Sequence, residues 1–403
     1  MTFEELQQAV REAAAIRRRQ RLQPAGGQGD KIFPPTYPGD NNVATHVFER
    51  RRMDGEEKTC VLIDSVQSQA NRMEEALLAA AEAGRIPVPR LVVDFPGAGL
   101  NSVGAISSLD APHRIFDAIL RDSEIAGQRF GDSDLGKALK QATARDASAI
   151  LQASPTSLLF GVWNSTGEGG GLGAKFARAI VSEIIGVDVP VVEVADRRTG
   201  EVALRTAGRR TGSRIDPLGV LRSVEVYKDK NGWDVDKSRL GKDAKQVRPS
   251  EINHGNIAPS VEMLGVTCDH ALQTLVITLA GLRRLRFGGS AERDDAARTY
   301  LAALGLVAAL EADRQGHALR SRCDLVCDGH APLELIGFDG SATEIALDAD
   351  TAVELHQRAF DAAGRAGFHL GAGPVILTPQ KKLVAIVEKS QAKALSDEAE
   401  ASD

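Results

Sequence analysis

Residues 154–186 read SPTSLLFGVWNSTGEGGGLGAKFARAIVSEIIG, and this stretch contains the strongest local pattern in the chain. The apolar run Leu158–Trp163 predicts a short strand that enters a glycine-rich turn at residues 167–173. Apolar residues then recur every four positions and predict a helix with one buried stripe. They are Leu172, Phe176, Ile180 and Ile184. Strands that alternate with helices and hairpins along the chain predict an α+β fold.

The glycine-rich turn has the composition of an anion site. Glycines allow backbone amides to approach a phosphate, and the start of a helix adds free N–H groups and the positive end of its dipole. Lys175, Arg178 and Ser182 are three and four positions apart, so a helix would place them on one polar side. The alternative is a flexible loop before an ordinary surface helix.

Two nucleotide-binding motifs were compared with this turn. A P-loop ends in Gly-Lys-Ser/Thr, but Lys175 lies between Ala174 and Phe176, so that motif is excluded. Gly169, Gly171 and Ala174 satisfy the looser dinucleotide fingerprint, with Glu193 as the acid for the ribose. A dinucleotide-binding oxidoreductase therefore remains an alternative.

The segment DSVQSQANR at residues 64–72 predicts a second polar helix start. Asp64 and Gln67 have the spacing of a cap and a return cap. The short polar donors that remain suit sugar and phosphate contacts, and they are Ser65, Ser68, Gln69 and Arg72. The alternative is a well-capped helix face without a ligand. A buried stripe of the same helix is expected at Val66, Ala70, Met73 and Leu77.

Other elements follow from turn signals and apolar runs. We expect helices at Phe3–Arg21 and Pro112–Leu120, and a long Gly- and Pro-rich loop at Gln23–Asp40. Hairpins are expected at His46–Ile63, turning at Asp54-Gly55, and at Val189–Leu204, turning at 198–200. Core segments and further strands are expected at Leu272–Leu279, Val307–Leu310, Leu333–Phe338, Val375–Leu377 and Leu383–Val387, and an acidic disordered tail at 396–403.

The charge of the 403-residue chain is unevenly distributed. Formal net charge is -6, yet Arg197–Arg248 contains 14 Lys and Arg against 7 Asp and Glu. Residues 290–365 contain 7 basic and 14 acidic residues. The basic region suits binding to a polyanion, or packing on the acidic side of a second copy.

Composition also limits the compartment. Hydrophobic residues make up 43% of the chain, and no apolar run is long enough to span a bilayer. The amphipathic N-terminus lacks the features of a signal peptide, so a soluble, cytoplasmic protein is expected. Four cysteines are too few for a disulfide scaffold.

Metal and catalytic signals are weak. His317, Cys323, Cys327 and His330 match no common zinc spacing, which favours cysteines that pack in a core. Asp30 and Asp40 in the long loop could hold a metal for strand cleavage, although such aspartates usually form turns. Aromatic content is 4%, and base-stacking candidates are Phe33, Tyr37, Trp163 and Trp233.

Several long strings together resemble a known family. They are HVFERRRMDGEE (46–57), DSVQSQANRMEEALL (64–78), SLDAPHRIFDAILRDS (108–123), residues 154–186 and SRIDPLG (213–219). They resemble the RAMP protein that forms the Cascade backbone of type I-G (formerly I-U) CRISPR-Cas effectors. The resemblance is strong over residues 33–219 and looser to Val387.

The resemblance implies an RRM-like (ferredoxin-like) RAMP palm with inserted fingers and a thumb. Palm and fingers would occupy 41–188 and 257–390, and a basic thumb-like insertion would occupy 189–256 of one RAMP domain. Copies would stack in a helical filament along the CRISPR RNA, with each thumb pushing a base out of line. The guide would then pair with target DNA, in contact with other type I-G subunits and the helicase-nuclease.

The resemblance also suggests site residues. Related subunits contact the guide with a Ser-Ser-Gln…Lys-Arg helix start, which is similar to Ser65, Ser68, Gln69 and Arg72, although Asn71 stands where Lys is usual. The other expected RNA contacts are Lys31, His113, Gly169, Gly171, Gly173, Lys175, Arg178, Arg209, Arg210, Arg214 and Asn256. No catalytic residue, metal or cofactor is expected, because type I systems leave cutting to a separate nuclease. A metal-dependent RAMP ribonuclease that uses Asp30 or Asp40 is the alternative.

Overall fold

A computed structural model describes residues 1–39, 44–164, 175–195, 200, 202–230, 232–371 and 373–402, with backbone alone from residue 395. The chain divides into two compact units. Unit 1 comprises Met1–Val191 and Val266–Leu383, and unit 2 comprises Val192–Gly265 and Val384–Asp403. In the described residues, no helix is both long enough and apolar enough to cross a membrane.

A large antiparallel sheet forms the centre of unit 1. Its strands in the described residues are β1 (Ala15–Pro24), β2 (Phe48–Met53), β3 (Glu56–Asp64), β4 (Ile180–Val187), β5 (His270–Thr278), β6 (His317–Arg320), β7 (Cys323–Cys327), β8 (Leu333–Ile336) and β9 (Ala342–Ile345). The order is β6-β7-β1-β5-β4-β3-β2, while β8 pairs with β1 and β9. The main helices are α1 (Phe3–Glu12), α2 (Val66–Glu82), α3 (Ala291–Gln315) and α4 (Ala349–Arg365).

Six of these elements form a regular series when β2, β3 and β6, which lie between them in the chain, are left aside. In chain order they are β1, α2, β4, β5, α3 and β7, which makes a β-α-β-β-α-β sequence. The four strands lie side by side as β7-β1-β5-β4, so the fourth, first, third and second strands of the series are neighbours. Helices α2 and α3 pack against each other, and α2 packs on β4. The fold is therefore a mixed α+β fold, as the sequence predicts.

Both faces of the sheet carry apolar side chains. One cluster joins Ile184 to residues of β1, β3 and β5, and a second cluster joins its neighbour Ile185 to Leu272 and Cys60. Successive residues of a strand point to opposite faces. From Ile184 onward strand β4 is therefore buried on both sides, and this half of its sequence lacks the alternation of a half-exposed strand.

This double burial explains the main error of the sequence prediction. Residues 175–187 form no helix; they form the short strand Lys175–Phe176 and then β4. Ile180 and Ile184 share a face of the strand as well, because a spacing of four is also a multiple of two. The predicted strand Leu158–Trp163 is instead the helix Pro155–Phe160 followed by the strand Val162–Trp163.

The predicted N-terminal helix is also wrong in its second half. Helix α1 ends at Glu12, and β1 covers the sequence AIRRRQRLQP. Ile16, Arg18, Gln20 and Leu22 are buried, while the residues between them are more exposed. This period of two belongs to a strand, even though four of its ten positions carry arginine.

Smaller differences affect the ends of the chain and one inner helix. Pro112–Leu120 contains a 3-10 turn at Arg114–Phe116 and the short helix Ala118–Arg121. Leu383–Val387 and the tail lie in the helix Lys381–Ser402, not in a strand or a disordered segment. Alanine, glutamate and lysine dominate this segment, and all three favour helix.

Other predictions are confirmed. The hairpin of β2 and β3 turns at Asp54-Gly55, where both residues have positive φ. Ala70, Met73 and Leu77 are buried on α2, and Val66 is half-buried. The strands Val191–Ala195 and Val202–Thr206 pair as the predicted hairpin, whose turn lies outside the described residues except for Gly200. Leu333–Ile336 and Pro374–Pro379 are strands.

The remaining elements of unit 1 surround this centre. Five strands form a second sheet in the order Ala105–Ser107, Arg90–Asp94, Pro374–Pro379, Ser123–Ile125, Gln128–Arg129, and Tyr37–Pro38 pairs with Ala44–Thr45. Further helices are Asp134–Gln141, Ser148–Ala153 and Leu279–Leu282, with 3-10 turns at Pro96–Ala98 and Phe130–Asp132.

Unit 2 is built from small antiparallel ribbons. Besides the predicted hairpin, Arg210–Arg214 pairs with Ile257–Glu262, and Val226–Asp229 lies between Gly232–Asp234 and Lys245–Val247. Unit 2 also contains two 3-10 turns, Lys237–Arg239 and Pro249–Ile252, and most of the helix Lys381–Ser402. The insertion at residues 192–265 begins and ends slightly later than the thumb-like segment that the resemblance implies.

Candidate nucleic-acid interface

Helix α2 begins at Ser65, which caps it. The Ser65 hydroxyl accepts a hydrogen bond from the Ser68 backbone N–H at 3.2 Å, and Ser65 itself has extended backbone angles. The prediction that Asp64 is the cap is wrong, because Asp64 is the last residue of β3 and is fully buried. The start of a helix leaves backbone N–H groups without intrahelical partners, so this end of α2 favours an anion.

A buried polar network anchors the first two turns of α2 to the sheet. Gln69 Nε2 donates to Asp64 Oδ2 at 2.7 Å, and Arg72 Nε donates to the same oxygen at 3.0 Å. Gln69 Oε1 accepts from Ser182 Oγ at 2.8 Å and from Gln273 Nε2 at 3.0 Å. Strands β4 and β5 supply these last two residues. The network therefore fixes the helix start on the sheet.

The network divides the predicted motif into inward and outward residues. Gln69 is only 4% exposed, and Arg72 also donates to the Leu319 carbonyl at 2.8 Å. Ser65 and Ser68 are half-buried, and the Ser68 hydroxyl has no hydrogen-bond partner in the described part of the chain. The serines thus face outward, while Gln69 and Arg72 position the helix.

Arg178 lies at the same helix start. Its Nη1 donates to the Val66 carbonyl at 3.2 Å, and the described residues give it no ion pair. Burial lowers the pKa of the Arg178 guanidinium, and the nearby positive charge of Arg114 lowers it further. A partly buried cation without a carboxylate partner would be stabilised by a bound anion. The structure therefore brings together two segments that the sequence analysis treated separately.

A buried ion pair supports this region from beneath. Arg114 Nε and Nη2 donate to the two carboxylate oxygens of Glu74, each at 2.7 Å. Arg114 Nη1 also donates to the Gly161 carbonyl at 2.9 Å. Burial raises the pKa of Glu74, and the Arg114 charge opposes that shift. The pair links the middle of α2 to the chain that leads to Trp163.

Sequence reasoning missed this pair, although a signal was present. Glu74 is four positions from Ala70 and three from Leu77, so it lies on the buried side of α2. A carboxylate on an apolar helix face requires a cationic partner.

The glycine-rich turn itself cannot be described. Residues 165–174 lie outside the described residues, and with them the expected contacts Gly169, Gly171 and Gly173. The residues at its two ends are described: Trp163 pairs with Lys175 across a two-stranded ribbon. Lys175 Nζ lies 5.4 Å from the centroid of the Trp163 ring, and the described residues give it no ion pair.

Two other expected contacts lie elsewhere in unit 1. His113 is exposed beside Arg114, and its backbone N–H donates to Asp117. The Lys31 ammonium lies 5.8 Å from the centroid of the Phe33 ring. Between these two residues, Ile32 pairs with Val266, which lies in the segment before β5. Neither position is joined to the helix start by a hydrogen bond that the structure describes.

The expected contacts of the basic region lie in unit 2. Arg209 donates to the carbonyls of Ala207 and Gly208, and Arg210 forms an ion pair with Glu262 at 2.8 Å. Arg214 Nη2 donates to the Gly255 carbonyl at 3.2 Å. The Asn256 side chain accepts from the Asp216 backbone N–H at 2.7 Å.

The alternatives find little support in this geometry. The described residues contain no group of three His, Cys, Asp or Glu placed to hold a metal. Asp30 Oδ1 accepts from the Lys31 backbone N–H, and Asp40 lies outside the described residues. Cys323 is buried in the core, where burial raises the pKa of its thiol to about 11. A dinucleotide fold needs a helix after the turn, whereas the described residues after it form the strands Lys175–Phe176 and β4.

Comparison with known proteins adds a family. No curated protein matches the chain. Residues 16–191 match the model of a family described as CRISPR-associated protein GSU0053. The matched range begins in β1 and includes α2, Arg114, Arg178 and β4. From residue 16 to residue 191 the chain is thus similar to the CRISPR-associated protein GSU0053 family.

Proposed function

We propose that this chain is the CRISPR RNA-binding backbone subunit of a type I-G effector complex. The observation that carries the proposal is the start of α2, where the described residues give Arg178 no ion pair and the Ser68 hydroxyl no hydrogen-bond partner. The match of residues 16–191 to a CRISPR-associated family supports the biological setting. Phosphate contacts of this kind hold a strand without reading its sequence.

The strand order supports an RRM-like palm of the RAMP type. The series β1, α2, β4, β5, α3, β7 with neighbours β7-β1-β5-β4 is the order of a ferredoxin-like fold. The main part of unit 2, Val192–Gly265, is inserted between β4 and β5, the second and third strands of that series. In this proposal the insertion is the thumb, and copies of the chain stack along the guide with the other effector subunits and the helicase-nuclease.

The proposal assigns no catalysis to the chain. The guide would pair with target DNA, and base pairing would supply the sequence specificity. Incubation of the assembled protein with complementary RNA and Mg²⁺ or Mn²⁺ should leave the RNA intact. Regularly spaced cuts that disappear in Asp30→Ala would contradict this part of the proposal.

The RNA-binding site can be tested by charge reversal. The protein is co-expressed with a repeat-spacer transcript and purified, and the retained RNA is quantified. Lys175→Glu with Arg178→Glu should remove most of the RNA, because two cations that have no ion pair in the described residues become anions. Lys137→Glu with Arg358→Glu is the matched control, since it changes the net charge equally at exposed positions of unit 1.

Equal RNA retention by the two double variants would contradict the proposed site. Loss of folding is checked by circular dichroism and by the urea midpoint of each variant. Lys175 is exposed, and Arg178 has no ion pair among the described residues, so we expect the stability of the first variant to change little.

A further inference from the structure

Trp163 is an exposed aromatic residue on a short, well-anchored ribbon. The ribbon has two cross-strand pairs. Val162 pairs with Phe176, and both are buried, whereas Trp163 pairs with Lys175 on the exposed side. Trp163 is 49% exposed. A large apolar ring at this exposure would gain free energy from a partner that covers it.

Gly161, the residue before the ribbon, holds the ribbon in place. Gly161 has φ +81, and a Cβ at this position would lie 2.9 Å from Arg178 Cγ and 3.0 Å from the Arg178 nitrogen. The Gly161 carbonyl accepts the hydrogen bond from Arg114, whose guanidinium is paired with Glu74. Trp163 therefore lies only two residues after a backbone position that is fixed by Arg178 on one side and by Arg114 on the other.

The chemistry around the ring fits a nucleotide. The Lys175 ammonium lies 5.4 Å from the ring centroid and has no ion pair in the described chain. A base can stack on an aromatic ring, and the phosphate next to it can pair with an ammonium. An aromatic residue with a neighbouring free cation offers one group for each half of a nucleotide.

We propose that Trp163 is a stacking platform for a nucleobase of a single-stranded nucleic acid, with Lys175 pairing with the adjacent phosphate. The inference rests on the proposed function, which supplies the nucleic-acid strand. It adds a contact to a base to the phosphate contacts of that proposal. Stacking of this kind tolerates any base, because every base has a flat face.

Fluorescence tests the platform directly. The chain has two tryptophans, Trp163 and Trp233, so Trp233→Phe leaves Trp163 as the single tryptophan, whose emission is excited selectively over that of the tyrosines. The full-length variant is titrated with short oligoadenylate, as RNA and as DNA, while an electrophoretic shift measures binding independently. We expect the Trp163 emission to be quenched in step with binding of the RNA.

Substitutions at Trp163 provide the affinity measurement. Trp163→Leu should weaken oligoadenylate binding on the order of tenfold, while Trp163→Phe should keep most of the affinity. An oligomer of the same length with abasic sugars should bind both variants equally, because it has no base to stack.

The outcomes separate the inference from the proposed function. RNA that binds in the shift assay without quenching Trp163, or equal affinity of Trp163→Leu and the parent, overturns the platform and leaves the phosphate site standing. Failure of the parent to bind any RNA overturns both. Quenching by DNA at the same affinity supports the platform and shows that it does not select the sugar.

Discussion

The basic region lies in unit 2, yet the start of α2 in unit 1 offers the better anion site. In unit 2, Arg210 is paired with Glu262. In unit 1, the described residues give no ion pair to Lys175 or Arg178. The number of cations in a segment is therefore a poor guide to a site; the number without an ion pair is a better one.

The two units also differ in how their ion pairs are buried. The Glu74 and Arg114 side chains are 3% and 10% exposed, whereas Arg210 and Glu262 are 51% and 49% exposed. Removing one partner of a buried pair leaves an unpaired charge in the core, while water replaces a partner at the surface.

The largest expected effect breaks the buried pair. Arg114→Met should lower the free energy of unfolding by about 3–5 kcal/mol, because Glu74 is left without its cation. Arg210→Met should lower it by at most about 1 kcal/mol. Urea unfolding of the two variants measures the difference, and the double variant Glu74→Leu with Arg114→Met should recover much of the loss. Equal midpoints for Arg114→Met and Arg210→Met would contradict the contrast.

The next effect concerns RNA affinity and its salt dependence. Lys175→Glu with Arg178→Glu should reduce the salt slope of single-stranded RNA binding by about 1.4, since each lost phosphate contact removes about 0.7. Arg210→Glu in unit 2 should change it less, because Arg210 is already paired with Glu262. Filter binding over a range of salt measures both slopes. A larger change from the unit 2 variant would reverse the assignment.

A smaller effect separates positioning from binding along α2. Gln69→Ala should lower the free energy of unfolding by about 1–3 kcal/mol, because Ser182, Gln273 and Asp64 all lose a partner. Ser68→Ala should change stability by no more than about 0.5 kcal/mol and should weaken RNA binding. Urea unfolding and RNA titration of the two variants test this division. A stable Gln69→Ala variant with weak RNA binding would place Gln69 at the RNA instead.

The smallest expected effect is a difference in how the free energy of unfolding changes as the pH falls. Burial raises the pKa of Glu74 in the folded state, so the folded state takes up a proton before the unfolded state as pH falls. Its contribution to stability therefore increases as pH falls through the raised pKa toward the unfolded value.

Asp216 of unit 2 should respond in the opposite direction. Backbone hydrogen bonds, first that from Gly255, lower its pKa, so its contribution is complete above the unfolded pKa and is lost as pH falls through the lowered value. Urea midpoints measured from neutral to acidic pH test both, with Glu74→Gln and Asp216→Asn as comparisons. The same sign of change for the two variants would contradict these assignments.

Some of the site could be predicted from the sequence. The turn at Asp54-Gly55 and the stripe Ala70, Met73 and Leu77 on α2 follow from local rules, and both are observed. These elements have one exposed face, so their periodicity is visible in the sequence.

The rest depends on contacts between distant segments. Strand β4 is buried on both faces from Ile184 onward, so its apolar residues fit a helical spacing equally well. Ser182 reaches Gln69 across 113 positions, and Arg178 reaches Val66 across 112, and no local rule predicts such partners. That Arg178 lies at the start of α2 without an ion pair in the described residues is visible only from those contacts.

The most direct test is ultraviolet crosslinking of the protein assembled with its guide RNA, followed by mass spectrometry of the nucleotide-bearing peptides. The account predicts crosslinks at the start of α2 and on the peptide that contains Trp163 or Lys175. Crosslinks confined to unit 2, with none on these unit 1 peptides, would contradict it.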